Sequence, residues 1–437
     1  MVEPKVSVIL TSYNKPMTVG LTIESILAQT LSDWELFIMD DASNQVTTNI
    51  IKGYLGDYRI RYINSMIADE ERYKKTRYAV LINEALQQCS GRYIVYVTDD
   101  VIYKREKLQK MAECLEKNPG INIVYNSQLK QTIDEKMNVI SEQILPANKV
   151  VSAAAHRVDH CSVMHTREIA EQVFNQFHSY WPEEPIYWYN ADAAFWNRLN
   201  EWEPFYPIDS ILEISYETVS SFQQLKAYLP DKLPNGLLVR GLKADDVYLI
   251  DNQTRRLISP AEFIELKYRK DLVIWIPDPF LYQYTEGSPI DSSIYTMGSI
   301  PNELLVQEKE TSEIFFIQDN KKRHISNRRV LQKYRLFSKD IIHLDKLVLD
   351  KIATGIPLDD KISYDCQLPE GMIFRYRNDL YWSIEGALHP ISRKVLQRLN
   401  KHKQKPIQLK QEEFSKLKIG NAIVWEFIGS NNKKTSI

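Results

Sequence analysis

Tyr93-Ile94-Val95-Tyr96-Val97-Thr98-Asp99-Asp100 is the stretch on which the reading of the first half of this chain turns. Its first five residues are β-branched or aromatic without alternation, the pattern of a strand buried on both faces, as in a parallel α/β sheet. Two adjacent carboxylates stand where the strand ends, and in such sheets ligands bind beyond the carboxyl ends of the strands. Buried carboxylates weigh against folding unless donors or a cation meet them, and hard oxygen ligands suit Mg²⁺ or Mn²⁺. A capping Asp at a strand-to-helix turn accounts for one such pair equally well. The design recurs, however. Trp34-Glu35-Leu36-Phe37-Ile38-Met39-Asp40-Asp41 is another apolar strand closed by two carboxylates. Val6-Ser7-Val8-Ile9-Leu10-Thr11-Ser12-Tyr13-Asn14-Lys15 closes on hydroxyls, an amide and a cation. Three strands deliver polar groups to one rim, which capping alone explains poorly.

Between these strands the apolar period changes to that of helices. Val19, Ile23, Ile26 and Leu27 form one stripe, Tyr78, Leu81, Ile82, Ala85 and Cys89 another, and Leu108, Met111, Ala112 and Leu115 a third. A helix over 47–55, a short strand over 59–64 and a strand over 121–125 complete the pattern, while the charged, aperiodic stretch 68–75 reads as a loop. Alternating strands and helices predict an α/β domain with a mostly parallel sheet. No G-x-G-x-x-G follows the first strand and no phosphate-binding G-x-x-x-x-G-K-[ST] occurs, so a nucleotide here would be held by side chains and a metal.

A chain of 437 residues implies two or more domains, and 44% hydrophobic with 26% charged residues is ordinary for a globular protein. A net charge of −2 gives no basic footprint, which excludes nucleic acid as the expected partner; Lys401-His402-Lys403-Gln404-Lys405 reads as a solvated face. No apolar run is long enough to span a bilayer, and no signal-peptide core opens the chain. Cys89, Cys114, Cys161 and Cys366 are scattered without metal-like spacing, as expected of reduced thiols in a cytoplasm.

At this point the residues carry a resemblance. Val8 to Lys15, Ile26-Leu27-Ala28-Gln29-Thr30, Glu35 to Asp41 and Thr98-Asp99-Asp100 resemble family 2 glycosyltransferases of the GT-A fold. Lys75-Thr76-Arg77-Tyr78-Ala79, Asp159-His160-Cys161-Ser162-Val163-Met164-His165 and Ala191-Asp192-Ala193 are similar to the glycosyltransferases of Bacillus spore-coat polysaccharide synthesis. The likeness covers roughly residues 1 to 220. It implies a nucleotide site made of Thr11, Tyr13, Lys15, Asp40, Asp41, Arg72 and Asp99. Within it, Tyr13 and Asp40 would contact base and ribose, Arg72 or Lys15 would neutralise the diphosphate, and Asp99 would face the ribose or sugar. Asp100 would hold Mn²⁺ or Mg²⁺, and Asp192 would be the general base. The relatives often carry a polar residue after the Asp pair; Val101 stands there instead.

Aromatic residues crowd the segment from Tyr180 to Tyr206, and sugar faces stack well on such rings, so Trp181 and Trp188, with His160, are the expected acceptor contacts. Core packing explains most of the individual rings as well, and Asp192 opens a helix-like run that it would also cap. His156 and His165 read as structural rather than zinc-binding.

Near Tyr228–Asn235 the pattern changes and the chain begins to resemble itself. Leu233-Pro234-Asn235-Gly236 returns as Ile300-Pro301-Asn302-Glu303 and as Leu368-Pro369-Glu370-Gly371, a period of about 67 residues. Each copy carries an Ile-Ser pair (Ile258-Ser259, Ile325-Ser326, Ile391-Ser392) and reads as a hairpin, a helix and a final strand. The expected domains are therefore 1–229 (GT-A catalytic), 230–299, 300–367 and 368–437 (three small α+β repeats). A recurring Ser without His and carboxylate is no nucleophile, so the repeats read as a binding or scaffolding array, with Trp275, Tyr282, Tyr284, Trp382 and Trp425 as possible glycan contacts. The whole reads as a metal-dependent inverting transferase that moves sugar from a UDP- or dTDP-linked donor to a glycan or other hydroxyl acceptor in surface or coat polysaccharide synthesis. The rivals are a catalytically inactive glycan-binding protein and a sugar-phosphate nucleotidyltransferase; the latter would want a Gly- and Arg-rich loop after the first strand.

Overall fold

Strands form where the chain is apolar on both faces. In order, the first elements are β1 (Val6–Ser12), α1 (Val19–Leu27), β2 (Trp34–Asp40), α2 (Gln45–Lys52), β3 (Ile60–Asn64), α3 (Arg77–Gln88) and β4 (Tyr93–Thr98). The computed structural model describes residues 3–218, 221, 225–230, 232–242, 245–364 and 366–424, and the chain divides into two compact units, Met1–Gln224 and Leu225–Ile437.

In the first unit, β3, β2, β1 and β4 lie side by side and parallel. Every residue of β1 and β2 is buried, and alternate side chains enter opposite layers. Ile9, Phe37, Met39 and Tyr96 pack with Ala79, Ile82 and Ala85 of α3 on one side. Val8, Leu10, Leu36, Ile38, Val95 and Val97 pack on the other with Val19, Ile23 and Ile26 of α1. A large apolar area on both faces fixes this part of the sheet.

The remaining elements are β5 (Val101–Tyr103), α4 (Lys107–Lys117), β6 (Ile123–Ile133), β7 (Val139–Leu145), β8 (Val163–Thr166), α5 (Arg167–Phe177), α6 (Ala191–Asn200) and β9 (Tyr206–Glu217). Beyond β4 the order is β8, β6, β9, β5, with β7 on β6. Here the sheet turns mixed: β8 runs antiparallel to β4 and β6, and β5 antiparallel to β9. The strand expected over 121–125 extends to Ile133, because β7 and β9 pair with its second half. The domain is thus a mixed α/β domain of GT-A type. Val101 is buried as the first residue of β5, opposite Ser215, which gives an apolar residue its place after the Asp pair.

The second unit holds three similar five-stranded sheets. In the first, Leu237–Arg240, Tyr248–Asp251 and Thr254–Leu257 form an antiparallel meander. Ile274–Trp275 joins one edge and Thr285–Glu286 the other, both parallel to their neighbours. The other two sheets repeat this order. The expected single final strand is thus corrected to two edge strands, one on each side of the meander. The second hairpin of each meander turns on two residues of positive φ (Asn252-Gln253, Asp319-Asn320, Glu385-Gly386), the geometry that matches strand twist.

The recurring Ile-Ser pair has a structural task. Ile258, Ile325 and Ile391 make parallel bridges to Ile290, Leu358 and Ile423. Ser259 and Ser392 then cap the short helices Pro260–Glu265 and Arg393–Arg398 through their hydroxyls; in the second module Asn327 caps Arg328–Lys333 instead.

The modules close into a ring. Lys267 of the first donates to carbonyls of the second, Lys333 of the second pairs with Glu413 of the third, and Asn400 of the third donates to carbonyls of the first. Gly236, Glu303 and Gly371 occupy matched positions at positive φ (76°, 63° and 72°). A Cβ on either glycine would fall on the Glu303 carboxylate, 2.0 Å and 2.2 Å from Oε2, so one side chain fills the space left by two missing ones. Burial pushes that carboxyl up to about 7. Trp425 lies outside the described residues. No helix among the described residues is long and apolar enough to cross a membrane, and all four cysteines are free.

Candidate functional site

The strand order reverses at β1, whose neighbours are β2 on one side and β4 on the other, and a crevice for ligands opens at such a reversal. Thr11 and Ser12 end β1 there, and Asp99 and Asp100 follow β4. The Ser12 hydroxyl and the Tyr13 backbone N–H each donate to Oδ2 of Asp99 at 2.8 Å. The Thr98 hydroxyl donates to Asp100 at 2.7 Å, and the Lys15 ammonium lies 3.5 Å from its other oxygen. Burial, and after it the neighbouring Asp100, push the Asp99 carboxyl up to about 7. The pair thus remains short of positive charge, even with Lys15 beside it. The donor set, two adjacent carboxylates with hydroxyls around them, fits a hard divalent cation. Lys15 Nζ is buried and donates no well-formed hydrogen bond, so its hold on Asp100 is loose.

Asp40 and Asp41, at the end of β2, are more fully committed. Asp40 is buried and accepts from the Ser43 N–H at 3.0 Å, the Tyr62 hydroxyl at 2.8 Å, the Asn64 amide at 2.9 Å and the Thr48 hydroxyl at 3.3 Å. Asp41 accepts from Arg72 at 2.5 Å, Arg77 at 2.7 Å and the Ser65 hydroxyl at 3.0 Å. Arg72 is only 1% exposed and also donates to Asp69 at 3.0 Å, while its guanidinium lies 4.2 Å over the Tyr13 ring. The segment read as a loop is therefore corrected: Asp69–Lys74 is a short 3₁₀ helix that carries Arg72 into this pairing. Of the two cations expected at the diphosphate, Arg72 is tied to two carboxylates and Lys15 alone stays beside the Asp99–Asp100 pair. Arg77 lies in the stretch Lys75–Ala79 that carries the resemblance, but sequence alone assigns it no role, because its partner Asp41 lies 36 residues away.

On the acceptor side, Asp192 is the second residue of α6, and Asn190 holds the N-cap position without a side-chain cap bond. The Tyr78 hydroxyl accepts the Ala191 N–H instead, at 2.7 Å. The reading of Asp192 as a cap is thereby corrected. Burial raises its carboxyl above the usual range, and the neighbouring His160 opposes the rise. His160 sits in the 3₁₀ turn His160–Ser162, stacked on Tyr78 with ring centres 6.4 Å apart.

Trp181, expected to face the acceptor, is a core residue. It is fully buried among Tyr96, Phe195 and Trp196 and meets His160 edge-on at 6.0 Å, so it packs behind His160 in the core. Trp188 is half-buried against Tyr189, outside that cluster. His165 is structural as expected: burial pushes it down to about 4, Nδ1 donates to the Thr166 carbonyl, and Nε2 accepts from Tyr96 at 2.8 Å.

Asp159, His160 and Cys161 bring ligand atoms within 4.8 Å of one another. Asp159, however, accepts the Cys161 N–H to start its own turn, and burial raises the Cys161 thiol well above its ordinary range, which disfavours a thiolate ligand.

Sequence reasoning also missed the ion pair behind the site. Lys107 and Glu213 are both fully buried and paired; Lys107 also donates to the Cys161 carbonyl at 2.6 Å, and Glu213 accepts from Ser162 and Gln128. Together they pin the turn that carries His160. Removing one partner of such a pair costs about 3–5 kcal/mol.

Residues 7–174 match the family model for glycosyl transferase family 2. The chain is 38% identical over 418 residues to Protein CgeD of Bacillus subtilis (strain 168), covering 95% of each chain. It is 34% identical over 146 residues to the putative glycosyltransferase EpsE of the same strain, covering 33% of this chain and about half, 49%, of that one. Among solved structures, Staphylococcus aureus TarS 1–349 in complex with UDP-GlcNAc is similar at a TM-score of 0.37 and 14% identity, over 52% of this chain and 62% of that one.

Proposed function

The chain belongs to glycosyl transferase family 2, and on that premise we propose that it moves a sugar from a UDP- or dTDP-linked donor to a hydroxyl of a glycan acceptor, with inversion at the anomeric carbon. One observation carries the reading. A cation-poor carboxylate pair sits at the strand-order reversal, and the same domain holds a buried carboxylate, Asp192, in the first turn of a helix beside His160.

The donor's base and ribose lie against Tyr13, Thr11 and the hydroxyl and amide groups that Asp40 orients, Tyr62 and Asn64. Asp41 and Arg72 fix the Tyr13 ring. Lys15, held only loosely by Asp100 at 3.5 Å, turns to the diphosphate oxygens. Asp99 and Asp100 would hold Mn²⁺ or Mg²⁺, which when bound supplies Lewis-acid stabilisation of charge on the leaving diphosphate. Asp192 takes the proton of the acceptor hydroxyl as its oxygen attacks the anomeric carbon from the face opposite the diphosphate. The carbon passes through an oxocarbenium-like state, as in glycoside hydrolysis, and a single displacement inverts it. The helix N-terminus favours the ionised form of Asp192 and works against the burial that raises its pKa.

The resemblance to spore-coat glycosyltransferases supports a surface or coat polysaccharide as the acceptor's class, and the free cysteines agree with a cytoplasmic setting. The test is to incubate the protein with a panel of nucleotide sugars, Mn²⁺ and candidate oligosaccharides and to measure nucleoside diphosphate release and product stereochemistry. No release with any donor, or retention of configuration, sinks the proposal.

A further inference from the structure

Two of the three seams in the repeat ring are built alike, and the third is not. Each module's capped helix is followed by a residue in the left-handed region: Lys267 (φ 58°), Arg335 (54°) and Asn400 (53°). Lys267 Nζ reaches the carbonyls of Lys339 and Ile341 at 2.9 and 2.6 Å. The Asn400 amide reaches the carbonyls of Asp271 and Val273, at the same place in its own neighbour, at 3.3 and 3.5 Å. Both side chains bolt their seam shut through two carbonyls two residues apart. Arg335 stands at the matching position and makes no such bond; it is exposed, and among the described residues its guanidinium has no partner. Here the seam is held to one side, by Lys333 and Glu413.

Beside Arg335 the seam opens into a solvent-open groove of about 410 Å³, lined among others by Gln332, Lys333, Arg335, Phe337, Ile407 and Gln408. That volume falls within the usual range for small-molecule sites. The walls combine a free guanidinium, two side-chain amides and the Phe337 ring, which is 56% exposed although it is a large apolar group.

We propose that the seam between the second and third modules binds an anionic saccharide, a sugar bearing a carboxylate or a phosphate. The planar guanidinium matches either anion through paired hydrogen bonds. The Gln332 amide can donate to and accept from hydroxyls, the Gln408 side-chain carbonyl can accept while its NH₂ is turned to the Arg375 and Leu409 carbonyls, and an exposed aromatic face suits the C–H face of a pyranose. The proposal goes beyond the transfer reaction and does not depend on it.

The test is calorimetric titration of the full-length protein with tetragalacturonate, glucose 6-phosphate and maltotetraose. Tetragalacturonate or glucose 6-phosphate should bind, and which of them does so identifies the anion; maltotetraose should not. Arg335→Gln should weaken that binding by about tenfold or more, the scale of a charge-assisted contact. Phe337→Ala should weaken it as well, and Lys267→Gln, at a bolted seam, should leave it unchanged. Nucleotide binding on the same samples reports separately on the transfer site. The proposal is overturned if neither anionic probe binds, if maltotetraose binds as well as they do, or if Arg335→Gln retains parental affinity. Binding to phosphatidylglycerol vesicles that depends on Arg335, without saccharide binding, would also overturn it and assign the seam to a membrane surface.

Discussion

The rim at the end of β4 and the axis of the repeat ring gather polar groups in opposite ways. At the rim, Ser12, Lys15, Asp40 and Asp99 come from strands unrelated in sequence, brought together because the strand order reverses there. At the axis, Gly236, Glu303 and Gly371 come from equivalent positions, brought together because one unit recurs three times. Convergence of unlike residues leaves unbalanced charge, which is available for chemistry. Convergence of like positions leaves room for a single side chain, which is then needed for packing. Substitutions at the rim and in the base's pocket should therefore cost activity with stability intact, and substitutions at the axis the reverse.

The largest expected effect is at Asp192. Asp192→Asn should lower turnover by about 10²–10⁴-fold, the usual share of a general base. Melting temperature and nucleotide affinity should stay parental, because Asp192 neither caps α6 nor touches the donor rim. Rate, thermal melting and nucleotide titration on one preparation decide it, and a variant with parental turnover would remove Asp192 from the mechanism.

Gly371→Ala tests the axis. The added methyl meets the Glu303 carboxylate at a positive φ, and strain of that kind costs about 1–3 kcal/mol. Urea unfolding should register that loss while nucleotide affinity is unchanged; a coupled loss of both would break the contrast between the regions.

Glu303 sharpens it further through pH. Its carboxyl is raised in the folded state, to about 7 against the ordinary 4.5, by burial and by the nearby Glu370 and Asp251, with Lys401 opposing. An acid of raised pKa holds its proton in the folded chain after the unfolded chain has released it. Its contribution is therefore intact below about pH 4.5 and falls away as pH climbs toward 7. Glu303→Gln should flatten the fall in melting temperature between pH 4.5 and 7; an unchanged slope would show that the carboxyl does not govern it.

The smallest effects separate caps from look-alikes. Ser392→Ala should cost about 1 kcal/mol because its hydroxyl caps a helix, whereas Asn190→Ala, which removes no cap bond, should fall within about 0.5 kcal/mol of the parent. Equal losses at the two sites would show that the Tyr78 hydroxyl does not stand in for a cap on α6.

What the sequence disclosed was whatever is written locally. Strand ends carrying Asp40, Asp41, Asp99 and Asp100 were visible because β-branched runs and the charges that stop them lie within a few residues. The repeat was visible because its turn motif is short and recurs. What escaped depends on chain separation. Arg72 with Asp41, Lys107 with Glu213 and the Tyr78 hydroxyl with the Ala191 N–H are 31, 106 and 113 residues apart, and nothing in any local window links them. The antiparallel insertion of β8 escaped as well, since a four-residue strand carries too little pattern to reveal its direction. Trp181 misled for a related reason: an aromatic run looks the same whether it faces sugar or packs a core.

The closure of the three modules also bears on how that unit can change over evolutionary time. A linear array has ends, so copies can be gained or lost one at a time and stability moves by increments. Here each module grips the next and the third grips the first, so every module has two neighbours. Deleting one, or duplicating a fourth, would leave two surfaces without their mates at once. Gradual change in copy number is closed to such a ring, and divergence must proceed within its members, as where Glu303 stands at the axis opposite two glycines and Arg335 stands where the other seams carry a bolt.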